Sequence, residues 1–188
     1  VELSRQAVHL IETGRVRPSR HSLEVIAASL GRPASDFLTA AGPDGDDPDL
    51  DELEQLCRRH QYERLLDRAE AFAGGGVGAR QLALAHFYAG LALHHRNRQD
   101  EALERLGLAE RLAESHRDPR LVAEAMDWQA VALHRKGDLR ALELAQEALR
   151  RYRQLKPRRP DVEARMIEHV GNLLIRRRDF DGAEASYR

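Results

Sequence analysis

Histidine is the residue best placed to do chemistry in this chain, and there are nine of them. His94 and His95 are neighbours, so a helix turns them about 100° apart and cannot aim both at one metal ion. No His-x-x-x-His or Cys-x-x-Cys pair occurs, although these are the spacings at which one helix or one turn presents two ligands. His86 and His94, or His94 and His134, can meet at a metal only if the fold brings them together. Gly74-Gly75-Gly76-Val77-Gly78 is glycine-rich, but a phosphate-cradling loop needs a preceding strand and a following Lys-Ser/Thr. It reads as a connection between helices. The carboxylates lie in heavily charged helical segments, where they serve as surface partners of arginine. Cys57, the single cysteine, reads as a helix-face residue. No set of nucleophile, base and acid emerges, so neither an enzymatic activity nor a metal or organic cofactor is expected.

Charge is distributed in blocks. Residues 1–35 carry a balance of +2, residues 36–56 carry eight acids and no Lys or Arg, and residues 57–188 carry +5, which together give the net −1. An acidic block of this kind marks a solvated linker. Its centre, Ala41-Gly42-Pro43-Asp44-Gly45-Asp46-Asp47-Pro48, is rich in turn formers and poor in apolar surface. Charged residues make up 32% and hydrophobic residues 42% of the chain, a mix that suits a water-facing helical protein. No apolar run approaches the ~18 residues a membrane span needs. One cysteine excludes an internal disulfide framework and suits a reducing compartment, so a cytoplasmic location is expected.

Apolar periodicity supplies the elements that must position any site. Leu3, Ala7, Val8, Leu10 and Ile11 fall on one helical face, with Ser4 as a cap and Gly14 as a stop. After Arg17-Pro18-Ser19 a second helix, about residues 22–30, is expected to bury Leu23, Ile26, Ala27 and Leu30 before Gly31 ends it. A third short helix is expected at about 33–39. From Leu50 onward the pattern is helical, with marked interruptions at Gly74–Gly76, near Asp118-Pro119 and at Lys156–Pro160.

This helical part repeats. Leu65, Ala102, Ala141 and Ala183 align, 37, 39 and 42 residues apart. Gly90, Ala130 and Gly171 recur in the helix before the last three of them. Turn signals at Asn97–Asp100, Lys136–Asp138 and Arg178–Asp181 separate the two helices of each unit. Small residues at recurring positions let paired helices approach closely, and the bulky residues between them fill the gaps. The pattern resembles the tetratricopeptide family, with Gly90, Ala102, Gly171, Phe180 and Ala183 as its best matches. The second clear unit departs by having Ala130 at the Gly position and one residue fewer before Ala141. The first keeps Tyr62, Leu65, Ala69 and Phe72 but has Leu53 at the Gly position. The spacing exceeds the standard ~34 residues. The resemblance implies an all-α fold in which residues 50–188 form a tetratricopeptide-like α-solenoid, with units at about 50–73, 82–115, 121–155 and 162–188.

Residues 1–38 resemble the phage-repressor-like helix-turn-helix family. Ile11-Glu12-Thr13-Gly14, the basic residues and Pro18 that follow, and Leu23-Glu24-Val25-Ile26-Ala27-Ala28-Ser29-Leu30-Gly31 carry the match. In that family two helices precede this stretch, so the chain starts at the recognition helix, and residues 1–39 are expected to be the C-terminal part of a DNA-binding domain, followed by an acidic linker at 40–49. The resemblance implies that Val8 and Ile11 face the domain core and that Glu12 has a structural role. Arg5, Gln6 and His9 would face the major groove, where Arg suits guanine and Gln suits adenine. Ser4 and Arg15 would contact phosphate. It also implies binding to duplex DNA as a homodimer, so this half-domain alone is expected to bind poorly.

The two resemblances together point to a sequence-specific bacterial transcriptional regulator whose repeats bind an effector, a peptide or another protein. The alternative is a non-enzymatic interaction scaffold. In tetratricopeptide hairpins the first helix of each unit lines a concave groove. Counting from Gly90, Ala130 and Gly171 puts Phe87, Leu91, His94, Asp127, Val131, His134, Glu168, Asn172 and Arg176 on that surface. Asn172 is the natural backbone reader for an extended peptide, because its amide both donates and accepts.

Overall fold

The computed structural model describes residues 20–32 and 48–187, and every regular element among them is a helix. The chain divides after Asp51 into two units. In the first, α1 spans Arg20–Ser29. Gly31 follows with φ +63°, and its N–H bonds back to Ala28 O while that of Arg32 reaches Ala27 O. This paired closure needs a left-handed residue, and glycine supplies one without steric cost. Ala27 is buried, but Leu30 is 59% exposed. The sequence pattern placed Leu30 on the buried face. It lies past the last helical residue, in the turn that Gly31 reverses, and so leaves that face.

Eight further helices follow: α2 Pro48–Arg58, α3 Tyr62–Gly74, α4 Ala79–His95, α5 Gln99–Ser115, α6 Pro119–Arg135, α7 Ala141–Arg153, α8 Pro160–Arg176 and α9 Phe180–Tyr187. Their starts are written locally. Pro119 and Pro160 open α6 and α8, where the missing N–H costs nothing. Asp118 accepts from Leu121 N–H at 3.1 Å, and Gln81 Oε1 accepts from Gly78 N–H at 2.8 Å, so each satisfies a free donor near a helix start. The ends of α2, α4, α5, α6 and α8 share one device. At His60, Asn97, Arg117, Gly137 and Arg178 the backbone turns left-handed, and paired bonds close the helix, as in Arg98 N–H to Leu93 O with Asn97 N–H to His94 O.

From α3 to α9 short connections fold each helix back on the one before. Gly90 meets Leu106, and His94 meets Gln99, so α4 and α5 run antiparallel. Contacts between successive pairs keep a steady offset instead. Arg105 bonds Glu70 across 35 residues, Arg165 bonds Glu124 across 41 and His169 bonds Asp127 across 42. Equivalent helices therefore run parallel, one hairpin apart, and the residues after Asp51 form an all-α, solenoid-like array. Its interior comprises two buried clusters that share the half-buried Leu144. Phe87, Leu91, Leu106, Leu121 and Met126 form one buried cluster, and Tyr152, Met166, Val170 and Leu173 belong to another. Gly90 is small because Leu106 Cγ lies 2.6 Å from where its Cβ would stand. Gly171 is small because Tyr187 fills that space.

Candidate ligand groove

The first helices of the hairpins, α4, α6 and α8, lie side by side and share an inner surface. Counted from the small residue of each helix (Gly90, Ala130, Gly171), position −2 is Tyr88, Trp128 and His169, and position +5 is His95, Arg135 and Arg176. A ring row thus runs across the array. Tyr62 stacks on His95 with centroids 4.0 Å apart and planes 9° from parallel. The indole of Trp128 stands edge-on to His95 at 5.6 Å and to His169 at 5.2 Å. The guanidinium of Arg165 lies 5.5 Å from the Trp128 centroid, within cation–π reach.

Beneath the row is a buried acid. Asp127 is fully buried and accepts from His169 Nδ1 at 2.9 and 3.1 Å. Arg165 donates to Glu124 at 3.1 Å and holds its Nε 3.7 Å from Asp127. Burial pushes the Glu124 carboxyl above its usual range, against the pull of Arg165. The Tyr88 hydroxyl is pushed up chiefly by burial, with Glu54, Cys57 and Glu124 adding to it. The inner sides of α2, α4 and α6 therefore converge.

His94 is fixed by a reciprocal contact. Gln99 Nε2 donates to His94 O at 3.1 Å, which turns Gln99 Oε1 to accept from His94 Nδ1 at 2.9 Å. Burial lowers the pKa of His94, as it does for His95, His134 and His86. For His134 the secondary causes are Arg176 and Arg135.

Between α6 and α8 the surface opens into a hollow of about 570 Å³ lined by Val131, His134, Arg135, His169, Asn172, Leu173, Ile175 and Arg176. That volume suits a small ligand or a few residues of a peptide. A larger hollow of about 680 Å³ lies elsewhere, where Glu114 and Asp118 share the wall with Arg117 and Arg151. Its charges are mixed, and Arg151 is already paired with Glu147.

Four of the nine residues predicted for the groove, Val131, His134, Asn172 and Arg176, meet in the first hollow. Phe87 and Leu91 do not line a groove. They are buried in the core with Leu121, Val122 and Met126 of α6. His94 is buried against Trp128, Asp127 lies beneath His169, and Glu168 is exposed on α8 outside the hollow's wall. Position −3 is buried in α4 and α6 and off the wall in α8, and in α4 positions +1 and +4 are buried as well, whereas in α6 and α8 the +1 and +4 or +5 residues reach the hollow. Position −2, one residue along from −3, carries the ring row. Trp128 and His169 were missed at −2, Arg135 at +5, and Leu173 and Ile175 beside the counted Asn172 and Arg176. The repeat register itself, read at −2 and +5, would have found Trp128, His169 and Arg135.

Among the described residues no group of three His, Cys, Asp or Glu could hold a metal ion, and no helix is long and apolar enough to cross a membrane. The residues expected to read DNA, Ser4, Arg5, Gln6, His9 and Arg15, lie outside the described residues. Comparison with protein-family models and with curated proteins gave no match.

Proposed function

We propose that the chain is part of a DNA-binding transcriptional regulator whose hairpin array is its sensing half. The observation that carries the sensing half is the hollow between α6 and α8, where polar and apolar side chains converge at a size fit for a ligand. The DNA-reading half rests on the motif of residues 1–38 and on the chemical sense of Arg5 and Gln6 at the start of a recognition helix. A dimer on paired half-sites is the geometry such a motif uses. The effector class that fits the hollow is a short peptide or a small organic molecule.

The test is operator selection with the complete gene product, followed by binding measurements on the selected duplex. Arg5→Ala with Gln6→Ala should cost about 1–3 kcal/mol for each base left unread and relax sequence preference. Equal affinity and equal selectivity of the double variant would remove the DNA-reading assignment. The sensing half is tested by following operator affinity in the presence of ligands that bind the hollow. No change with any such ligand would remove it.

A further inference from the structure

The hollow between α6 and α8 differs in charge from three other hollows among the described residues. Its wall holds the guanidiniums of Arg135 and Arg176, the imidazoles of His134 and His169, and the Asn172 amide, and no carboxylate. Elsewhere the walls are mixed: Arg140 stands with Glu143 and Glu147, and Arg64 and Arg96 with Glu63. Arginines there are answered within the fold, as in Arg140 with Asp138 and Arg96 with Glu63. Arg135 and Arg176 make no such ion pair among the described residues. The buried acid Asp127 is already taken by His169 Nδ1. That bond orients the ring and leaves Nε2 as the nitrogen open to a ligand. Val131, half-buried, Leu173, buried, and Ile175, exposed, are the apolar members of the same wall.

We propose that this hollow binds an aliphatic carboxylate, its carboxylate held between Arg135 and Arg176 and its hydrocarbon part against Val131, Leu173 and Ile175. The inference rests on the sensing role given above and names its ligand chemistry. Two unpaired guanidiniums in one concave wall suit a planar two-oxygen anion, since each offers parallel N–H donors. An anion there also relieves the crowding of like charge around His134. The carboxylate can come from a free acid or from the C-terminus of a peptide ending in an aliphatic residue.

Calorimetry on the 188-residue chain decides it, with four probes: hexanoate, hexanamide, acetyl-Ala-Leu with a free carboxylate, and acetyl-Ala-Leu amide. Trp128 is the single tryptophan, so its emission, read beside His169, reports occupancy of this site. At least one acid should bind and perturb Trp128, and its amide should bind at least about tenfold more weakly. Arg135→Gln and Arg176→Gln, both at exposed positions, should each weaken the acid by about tenfold or more while leaving the circular-dichroism spectrum unchanged. Binding of the dipeptide alone assigns the source as a peptide terminus, and binding of hexanoate alone assigns it as a free acid. The inference is overturned if neither acid binds, if acid and amide bind equally, or if both arginine variants retain full affinity. The failures are separable. Acid binding with no effect on the operator affinity of the complete protein sinks the sensing role and spares the site, whereas a response only to neutral ligands does the reverse.

Discussion

His169 on α8 reaches back one hairpin to Asp127 on α6, with its Nδ1 2.9 Å from one carboxylate oxygen and 3.1 Å from the other. The carboxylate has no exposed surface, and the Arg165 guanidinium is its nearby positive group. A buried acid held this way gains little over an apolar pair, but removing one partner strands the other. Asp127→Ala should therefore lower the unfolding free energy by about 3 kcal/mol. In a double-mutant cycle by urea denaturation, Asp127→Ala and His169→Ala should fall well short of additive. Additive losses would mean that the pair is geometric only.

Two glycines separate packing from backbone cost. Gly90→Leu should destabilise by about 1–3 kcal/mol, because overpacking against Leu106 forces the helices apart. Gly107 sits inside α5, and an added Cβ would meet only the tip of Arg111 at 3.4 Å. Gly107→Ala should stabilise by about 0.5–1 kcal/mol through helix propensity alone. Thermal melts of both variants check the pair, and effects of the same sign would contradict this assignment of roles.

Tyr152 is fully buried, and its hydroxyl accepts from Arg159 N–H at 3.1 Å, fastening the connection from α7 to α8. Tyr152→Phe keeps the ring and leaves that N–H unpaired. The expected loss is about 1 kcal/mol, with faster amide exchange at Arg159. Unchanged stability and exchange would show that water replaces the bond at no cost.

The histidines set the response to acid. The pKa of His95 is depressed to about 4, first by burial and then by His94, His60 and Arg135. The unfolded chain then takes up protons that the folded one refuses, so stability falls as pH falls. The contribution of His95 is fully present above the ordinary histidine pKa of ~6.5 and is lost as pH drops through that value toward about 4. His94, His134 and His86 are shifted the same way. Urea midpoints at several pH values should decline across this window, and His95→Gln should flatten the decline. An equal slope in the variant would mean that His95 is not among its sources.

How much was legible in advance depended on how strongly each signal was tied to residue type. Helix starts at Pro119 and Pro160 and the close approach at Gly90 follow from residues with few alternatives. The helix ends were less visible. Asn97 and Gly137 announce a left-handed turn, but His60, Arg117 and Arg178 adopt the same conformation without the residue type that favours it. The break after Arg58 was missed for that reason. The groove suffered from a different ambiguity. Residues one step apart on a helix are separated by only about 100°, so a count anchored on Gly90 selected Phe87 and Leu91 on the inter-hairpin seam in place of Tyr88. Which neighbour faces a cavity is set by the next hairpin, which periodicity within one helix does not encode.

The steady offset between partner residues bears on how the chain reaches this shape. Each hairpin settles on its predecessor through bonds spanning 35 to 42 residues, and closure entropy rises only slowly over such distances. The array has no obligatory first piece. Any hairpin pair can act as the seed, and order spreads from it in either direction along the chain.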